Sequence, residues 1–281
     1  HVRLDACAIC HSDITYMDGD WGGELPAVYG HEAAGIVQGI GEDVKGLRCG
    51  APVVVTLLRS CGDCFFCRQR QESLCETRFP LDESSPITDQ QGIPIGHGLR
   101  TGAFADEVVV HATQVVEIPP DLPMDSAALL SCGVITGVGA VKNVAAVPAG
   151  ASVVTIGMGG VGVNCVQGAA LSNAKLNIAL DLSSDKLKAM SCFGATHVIN
   201  PASEDAPAIV RRLTGGRGAD YVFVAAGSRA AIEQSVQLIR RGGMVVLVGM
   251  TLEGVKAEFE TLDLANDAIH LVGSKMGSTR L

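Results

Sequence analysis

Charge and aromatic side chains are both scarce in this 281-residue chain. Charged residues make up 18% and aromatic residues 4%, with a single Trp and three Tyr. What charge there is runs acidic, net −9 at pH 7, so there is no basic footprint for a nucleic acid. No apolar run approaches the roughly 18 residues that a membrane span requires. No signal peptide is recognised, so the expected compartment is the reducing cytosol, the cytoplasm. There, ten cysteines are ligands or buried thiols before they are disulfides. Glycine is abundant instead, 34 residues, and the mean hydropathy is +0.31. That composition suits a compact protein rich in buried parallel strands, and the length suggests two domains.

The first 125 residues are short apolar runs broken by glycine and proline, such as "AAGIVQGIGEDVKGLRCGAPVVV", which predicts an irregular β-rich domain. "MDSAALLSCGVITGVGAVKNVA" then reads largely as helix. From Ala151 the pattern alternates: "SVVTIG" as strand, "GVGVNCVQGAALS" as helix, "LNIALD" as strand, "SDKLKAMSCFG" as helix. "HVIN", "DYVFVAA", "GGMVVLVG" and "IHLVGS" follow as strands. Residues 126–281 therefore read as βαβ units in a parallel, doubly wound sheet, and the fold class as α/β. The chain opens partway along a strand at His1 and stops just after one, so both ends are expected to be truncated.

Gly157, Gly159 and Gly162 form a GxGxxG pattern that closes a predicted strand and opens a predicted helix. The first glycine permits a tight turn, the second lets backbone approach a pyrophosphate, and the third lets helix and strand pack closely. Asp181 ends the second strand, 24 residues after Gly157. A carboxylate there can accept from both ribose hydroxyls of NAD and would repel a 2′-phosphate. Its bland alternative is a cap on the helix starting near Ser184. Lys186 also lies within reach of the ribose, although a solvated lysine on a helix is commoner.

Cys61, Cys64, Cys67 and Cys75 put four thiols within fifteen residues. A tetrahedral zinc site, an iron–sulfur cluster and a redox CxxC pair all use such spacings. A second, scattered set favours zinc. "CAICHSD" holds Cys10, His11, Ser12 and Asp13, "GHEAAG" holds His31 and Glu32, and "SCGVITGVGAV" holds Cys132. Alone, Cys10 or Cys132 reads as a buried apolar thiol. With His31 they make the Cys₂His set that leaves one zinc position open for substrate.

These motifs, in this order, resemble the zinc-dependent alcohol dehydrogenases of the medium-chain dehydrogenase/reductase family. The resemblance implies a GroES-like catalytic domain over 1–125 and a Rossmann NAD-binding domain over 126–281. It also implies hydride transfer from an alcohol to NAD, giving an aldehyde or ketone plus NADH. Cys10, His31 and Cys132 then match catalytic zinc ligands, and Cys61, Cys64, Cys67 and Cys75 match the ligands of a structural zinc, two ions per chain. Glu32 matches the acid beside the zinc, Asp13 the carboxylate that orients the histidine, and Ser12 the hydroxyl that takes the alcohol proton. His11 matches a contact to the cofactor pyrophosphate and offers a titrating end for the proton path. Gly160, Val161, Val248 and Met250 join the glycines on the cofactor side. Many relatives carry a histidine at the position of Thr15 and several carry an aromatic at Leu57. The alternatives are a thiol-dependent formaldehyde dehydrogenase, suggested by "CHSDITYMDG" and "GAFADEVVVH", and a non-catalytic zinc and nucleotide binder. Partners are expected to be a small alcohol or aldehyde and further copies of the chain, as homodimer or homotetramer, with no nucleic acid and no membrane.

Overall fold

Short apolar runs between turn-forming glycines pair where they can shield one face, and in the first half of the chain they pair antiparallel. The computed structural model describes residues 1–23 and 25–279. The chain divides into two units, His1–Gly133 and Val134–Ser278. In the first, the strands are β1 (Val2–Ala8), β2 (Ala27–Val28), β3 (Glu32–Val37), β4 (Pro52–Val55), β5 (Gly96–His97), β6 (Glu107–Val108) and β7 (Val115–Glu117). Five form an antiparallel sheet in the order β6-β1-β3-β4-β7, and β2 and β5 make a separate parallel pair. Val2, Ala33, Val37, Val53, Val55 and Val108 fill one core. Ala34, Val54, Ile118, Ala127 and Ala128 fill another, which includes the helix Met124–Leu129.

Register fixes where chemistry can gather. Ala8, the last residue of β1, lies opposite Glu32, the first residue of β3. The chain leaving β1 at Cys10 therefore starts beside the chain entering β3 at His31. Gly35 makes this pairing possible, because a Cβ there would overlap the carbonyl of Arg3.

Residues 124–144 form a helical run in four pieces: Met124–Leu129, a π-helical turn at Leu130–Val134, Ile135–Gly139, and a second π-helical turn at Ala140–Val144. The division between the units falls inside it. The run differs from expectation in one respect. Met124–Val144 is, by length and composition, apolar enough to cross a membrane, whereas the sequence reads the segment largely as helix with no apolar run near that length. Half of that window is buried inside the protein, so its apolar side already has protein to cover it.

The second unit is a parallel sheet of β8 (Ser152–Ile156), β9 (Leu176–Leu180), β10 (His197–Ile199), β11 (Ala219–Val224), β12 (Ile239–Leu247) and β13 (His270–Gly273), in the order β10-β9-β8-β11-β12-β13. Numbered from its own first strand this is 3-2-1-4-5-6, the doubly wound Rossmann order. Its central strand is covered on both faces: Ser152–Ile156 is buried at every position. The helix Gly160–Leu171 follows β8 directly.

The loop between them needs its glycines for different reasons. Gly157 has φ +95°, and a Cβ there would come 2.9 Å from Ala226. A Cβ at Gly162 would overlap the Gly157 carbonyl, whereas one at Gly159 meets nothing within 4 Å. Gly162→Ala is therefore expected to destabilise the protein by about 1–3 kcal/mol or more. Gly159→Ala should change stability by about 0.5 kcal/mol at most. Urea unfolding of both variants without nucleotide checks the contrast.

Candidate metal centres and dinucleotide loop

Asp13 organises the first site. It sits in the helix His11–Met17 and is fully buried. One carboxylate oxygen accepts from the Gly30 N–H at 3.0 Å and lies 3.0 Å from His31 Nδ1; the other accepts from the Cys10 N–H at 3.0 Å. Three donors from two chain segments thus converge on one anion. With the proton on Nδ1 the imidazole presents Nε2 as its free donor atom, which fixes the tautomer a metal needs. Cys132 enters from the π-helical turn Leu130–Val134 and is buried. Cys10, His31, Glu32 and Cys132 each offer one ligand atom, all within 4.8 Å of one another.

The electrostatics suit a cation. Hydrogen bonding from Cys132, and then from His31, holds the Cys10 thiol well below its ordinary range despite burial. Burial opposes charge on His31, but hydrogen bonds to Asp13 and Cys10 outweigh it and raise the group to about 9. Burial, then the neighbouring Cys10 charge, pushes Glu32 up to about 7. A thiolate donor in a buried pocket is the form a metal binds. Two sulfurs and one imidazole are a zinc-type donor set with room for a further ligand. Ser12 is half-buried, with Oγ 3.7 Å from Cys10 Sγ. His11 is exposed on the same turn. The buried Thr15 donates its hydroxyl to the His11 carbonyl at 3.0 Å, so it closes the helix turn.

The four-cysteine lobe fits a single ion as well. Cys61 and Cys67 sulfurs are 3.9 Å apart, as are those of Cys64 and Cys75, and all four lie within 4.8 Å. A tetrahedron of sulfurs around zinc has edges of about 3.8 Å, from Zn–S bonds of about 2.3 Å. A disulfide would need about 2.05 Å. The Thr77 hydroxyl donates to Cys61 Sγ at 3.0 Å, and the Asp63 and Cys64 N–H groups do so at 3.4 and 3.2 Å. These bonds lower the Cys61 thiol, the Thr77 bond most of all. The sequence reading did not single out Thr77. It also missed Arg59, two residues before Cys61 and 2% exposed. Arg59 donates to Gln114 Oε1 at 2.8 Å, Asp82 Oδ1 at 3.0 Å and the Arg100 carbonyl at 3.2 Å, and lies over the Phe79 ring. That network ties both ends of the lobe to the sheet. A lone arginine in a loop gives no sequence signal for it.

The dinucleotide candidates lie in the second unit. Gly159 and Gly160 are exposed at the start of the helix Gly160–Leu171, where unpaired N–H groups face outward. The open space at Gly159 is the cradle a phosphate would fill. Val161 is half-buried and Gly162 buried against the strand. Asp181 lies one residue past the end of β9; its Oδ2 accepts from the Met158 N–H at 2.6 Å and its Oδ1 from the Ser183 N–H at 2.8 Å. The following helix is capped by Ser183, whose hydroxyl accepts from the Lys186 N–H, so Asp181 is left for the loop. Lys186 is exposed, Val248 buried and Met250 62% exposed.

Comparison with known proteins gives a consistent result. The alcohol dehydrogenase GroES-like domain family matches residues 1–120, and the zinc-binding dehydrogenase family matches residues 160–281. The class-3 alcohol dehydrogenase of Pisum sativum is 36% identical over 264 residues, covering 90% of this chain and 70% of its own. The benzyl alcohol dehydrogenase of Acinetobacter calcoaceticus superposes with a TM-score of 0.91 at 29% identity, over 99% of this chain and 77% of its own. A zinc-binding dehydrogenase of Sinorhizobium meliloti 1021, solved bound to NADP, gives 0.81 at 28% identity, over 98% and 76%.

Asp13→Asn keeps the shape but loses an anion that three N–H groups require. It is expected to weaken zinc at the Cys10, His31 and Cys132 set by about 10–100-fold while leaving the lobe unchanged. Chelator competition, read as two phases of zinc release, checks it.

Proposed function

Because the chain belongs to the zinc-dependent alcohol dehydrogenases of the medium-chain dehydrogenase/reductase family, we propose that it oxidises a small alcohol to an aldehyde or ketone with NAD as hydride acceptor. The observation that carries this reading is the Cys10, His31 and Cys132 donor set, with Asp13 holding the His31 proton. Zinc bound there would act as a Lewis acid that eases loss of the alcohol proton, and the dinucleotide would take the hydride. A second zinc would hold the cysteine lobe, so that a metal substitutes for a core too small to form. Zinc analysis of the loaded protein should then give about two equivalents.

The residues divide the work. Asp13 orients His31. Ser12 stands at its rim, and a hydroxyl both accepts and donates, so it can take the alcohol proton and hand it outward. His11, exposed beside it, is the group that can release the proton to water. Glu32 is the buried carboxyl beside the set, where burial disfavours its charged form. The glycine loop would take the pyrophosphate, with Val161, Val248 and Met250 on the same side. Asp181 would face the ribose, with Lys186 nearby. The positions after Asp181, Leu182 and Ser183, offer no arginine to a 2′-phosphate, which supports NAD over NADP. A cytoplasmic, homodimeric or homotetrameric enzyme completes the proposal; β13 at the edge of the six-stranded sheet supports self-association.

Two experiments test it. Absorbance of the reduced cofactor is followed over primary, secondary and aromatic alcohols and formaldehyde–thiol adducts, with NAD and with NADP. NADH formation from a free alcohol is expected. Turnover of thiol adducts alone would favour the formaldehyde reading, and equal or better kinetics with NADP would refute the cofactor assignment. Separately, Ser12→Ala is expected to retain zinc and NADH binding while oxidation falls by about 10² or more at neutral pH. Near-normal oxidation would show that the proton leaves by another route.

A further inference from the structure

Asp181 does something in this structure that the ribose does not require. The parallel ladder of β8 and β9 ends at Ile156 opposite Leu180. One residue on, the Gly157 N–H donates to the Leu180 carbonyl at 2.7 Å. One residue further, the Met158 N–H donates to Asp181 Oδ2 at 2.6 Å. The side chain thus supplies an acceptor to a backbone N–H just past the end of the strand. The other carboxylate oxygen accepts from Ser183 N–H and fixes the turn that leaves β9. Met158 is held from the other side too: its side chain is 3% exposed and packs with Val166, Ala179, Leu187 and Met190. Gly157, immediately before it, is in the left-handed region at φ +95°. The turn is therefore defined by a glycine that bends it, an apolar side chain that anchors it and a carboxylate that stops its backbone from drifting.

We propose that Asp181 is a positioning residue for the glycine loop, holding Met158 and the backbone that follows in the phosphate-accepting shape before any dinucleotide arrives. The proposal rests on reading 157–162 as the dinucleotide loop. It changes what removal of Asp181 does. A residue that acted only on the ribose would, when removed, weaken NADH and relieve the repulsion of NADPH. A residue that holds the loop is needed by both, because both carry the same pyrophosphate. A carboxylate accepting two backbone N–H groups is also a stronger acceptor than a neutral amide. Asparagine keeps one carbonyl oxygen and turns its amide N–H₂ toward the remaining donor, so it is expected to restore the loop only in part.

The test uses the zinc-loaded full chain without nucleotide, with amide hydrogen exchange across residues 157–162 as the readout independent of activity. Asp181→Ala is expected to speed exchange there about tenfold or more, with Asp181→Asn between it and the unmodified chain. NADH and NADPH, titrated by fluorescence, should both bind the Ala variant more weakly, NADH by the larger factor because it also loses the ribose contact. If the Ala variant does not fold, faster loop exchange in the Asn variant supports the proposal. Unchanged exchange in the folded variants overturns it, as does tighter NADPH binding by the Ala variant than by the unmodified chain. Failure of the unmodified chain to bind either dinucleotide would overturn the reading of the loop itself, and the exchange rates would still decide whether Asp181 holds it.

Discussion

The carboxylate of Asp13, shut away from water, is the constraint on which the first unit's chemistry depends. A buried anion is costly unless its oxygens are satisfied. Here the donors come from the His31 ring and the backbone at Cys10 and Gly30, so the segment leaving β1 and the segment entering β3 must stand where they do. The β1–β3 register brings Ala8 level with Glu32, and Asp13 closes the last few ångströms. The result is a histidine whose tautomer is set and a thiol held low, with Cys132 delivered from a π-helical turn. Such a turn carries one extra residue and re-aims a side chain without breaking the helix.

The second unit uses the same device at another place. Asp181 also accepts backbone N–H groups and also fixes a turn that would otherwise be loose. In both units a carboxylate shapes the backbone before it meets a ligand. The cysteine lobe follows a different logic. It has few apolar residues to bury, so four sulfurs at tetrahedral spacing hold its centre and the Arg59 network fastens its ends to the sheet.

Much of this was legible in the sequence because the signals are local. CxxCxxC and GxGxxG each lie within a few residues of one turn, where spacing alone nearly dictates geometry. The central strands β8 and β9 of the second unit, buried almost throughout, appear as mostly apolar runs, "SVVTIG" and "LNIALD". What was not legible depends on long-range meetings. Gly30, as a donor to Asp13, needs the fold to bring positions 13 and 30 together. Thr77, which bonds Cys61, lies 16 residues away across the lobe. Arg59 joins partners at 82, 100 and 114, and none of those pairings has a sequence period. Asp181 showed a ribose-facing role and a helix-cap alternative but not its bond to Met158, which appears only once β8 and β9 lie side by side. The 124–144 segment reads largely as helix in the sequence, but that its four helical pieces together are long and apolar enough to resemble a membrane span appears only in the structure.

The central claim is that this chain builds one closed all-sulfur metal site and one open site of two sulfurs and a histidine. Zinc-edge X-ray absorption on the zinc-loaded chain tests it most directly. With two ions bound, the averaged nearest-neighbour shell should hold about three sulfurs at about 2.3 Å and one nitrogen or oxygen at about 2.0–2.1 Å. A shell of four sulfurs only, or one dominated by nitrogen and oxygen, would contradict the account.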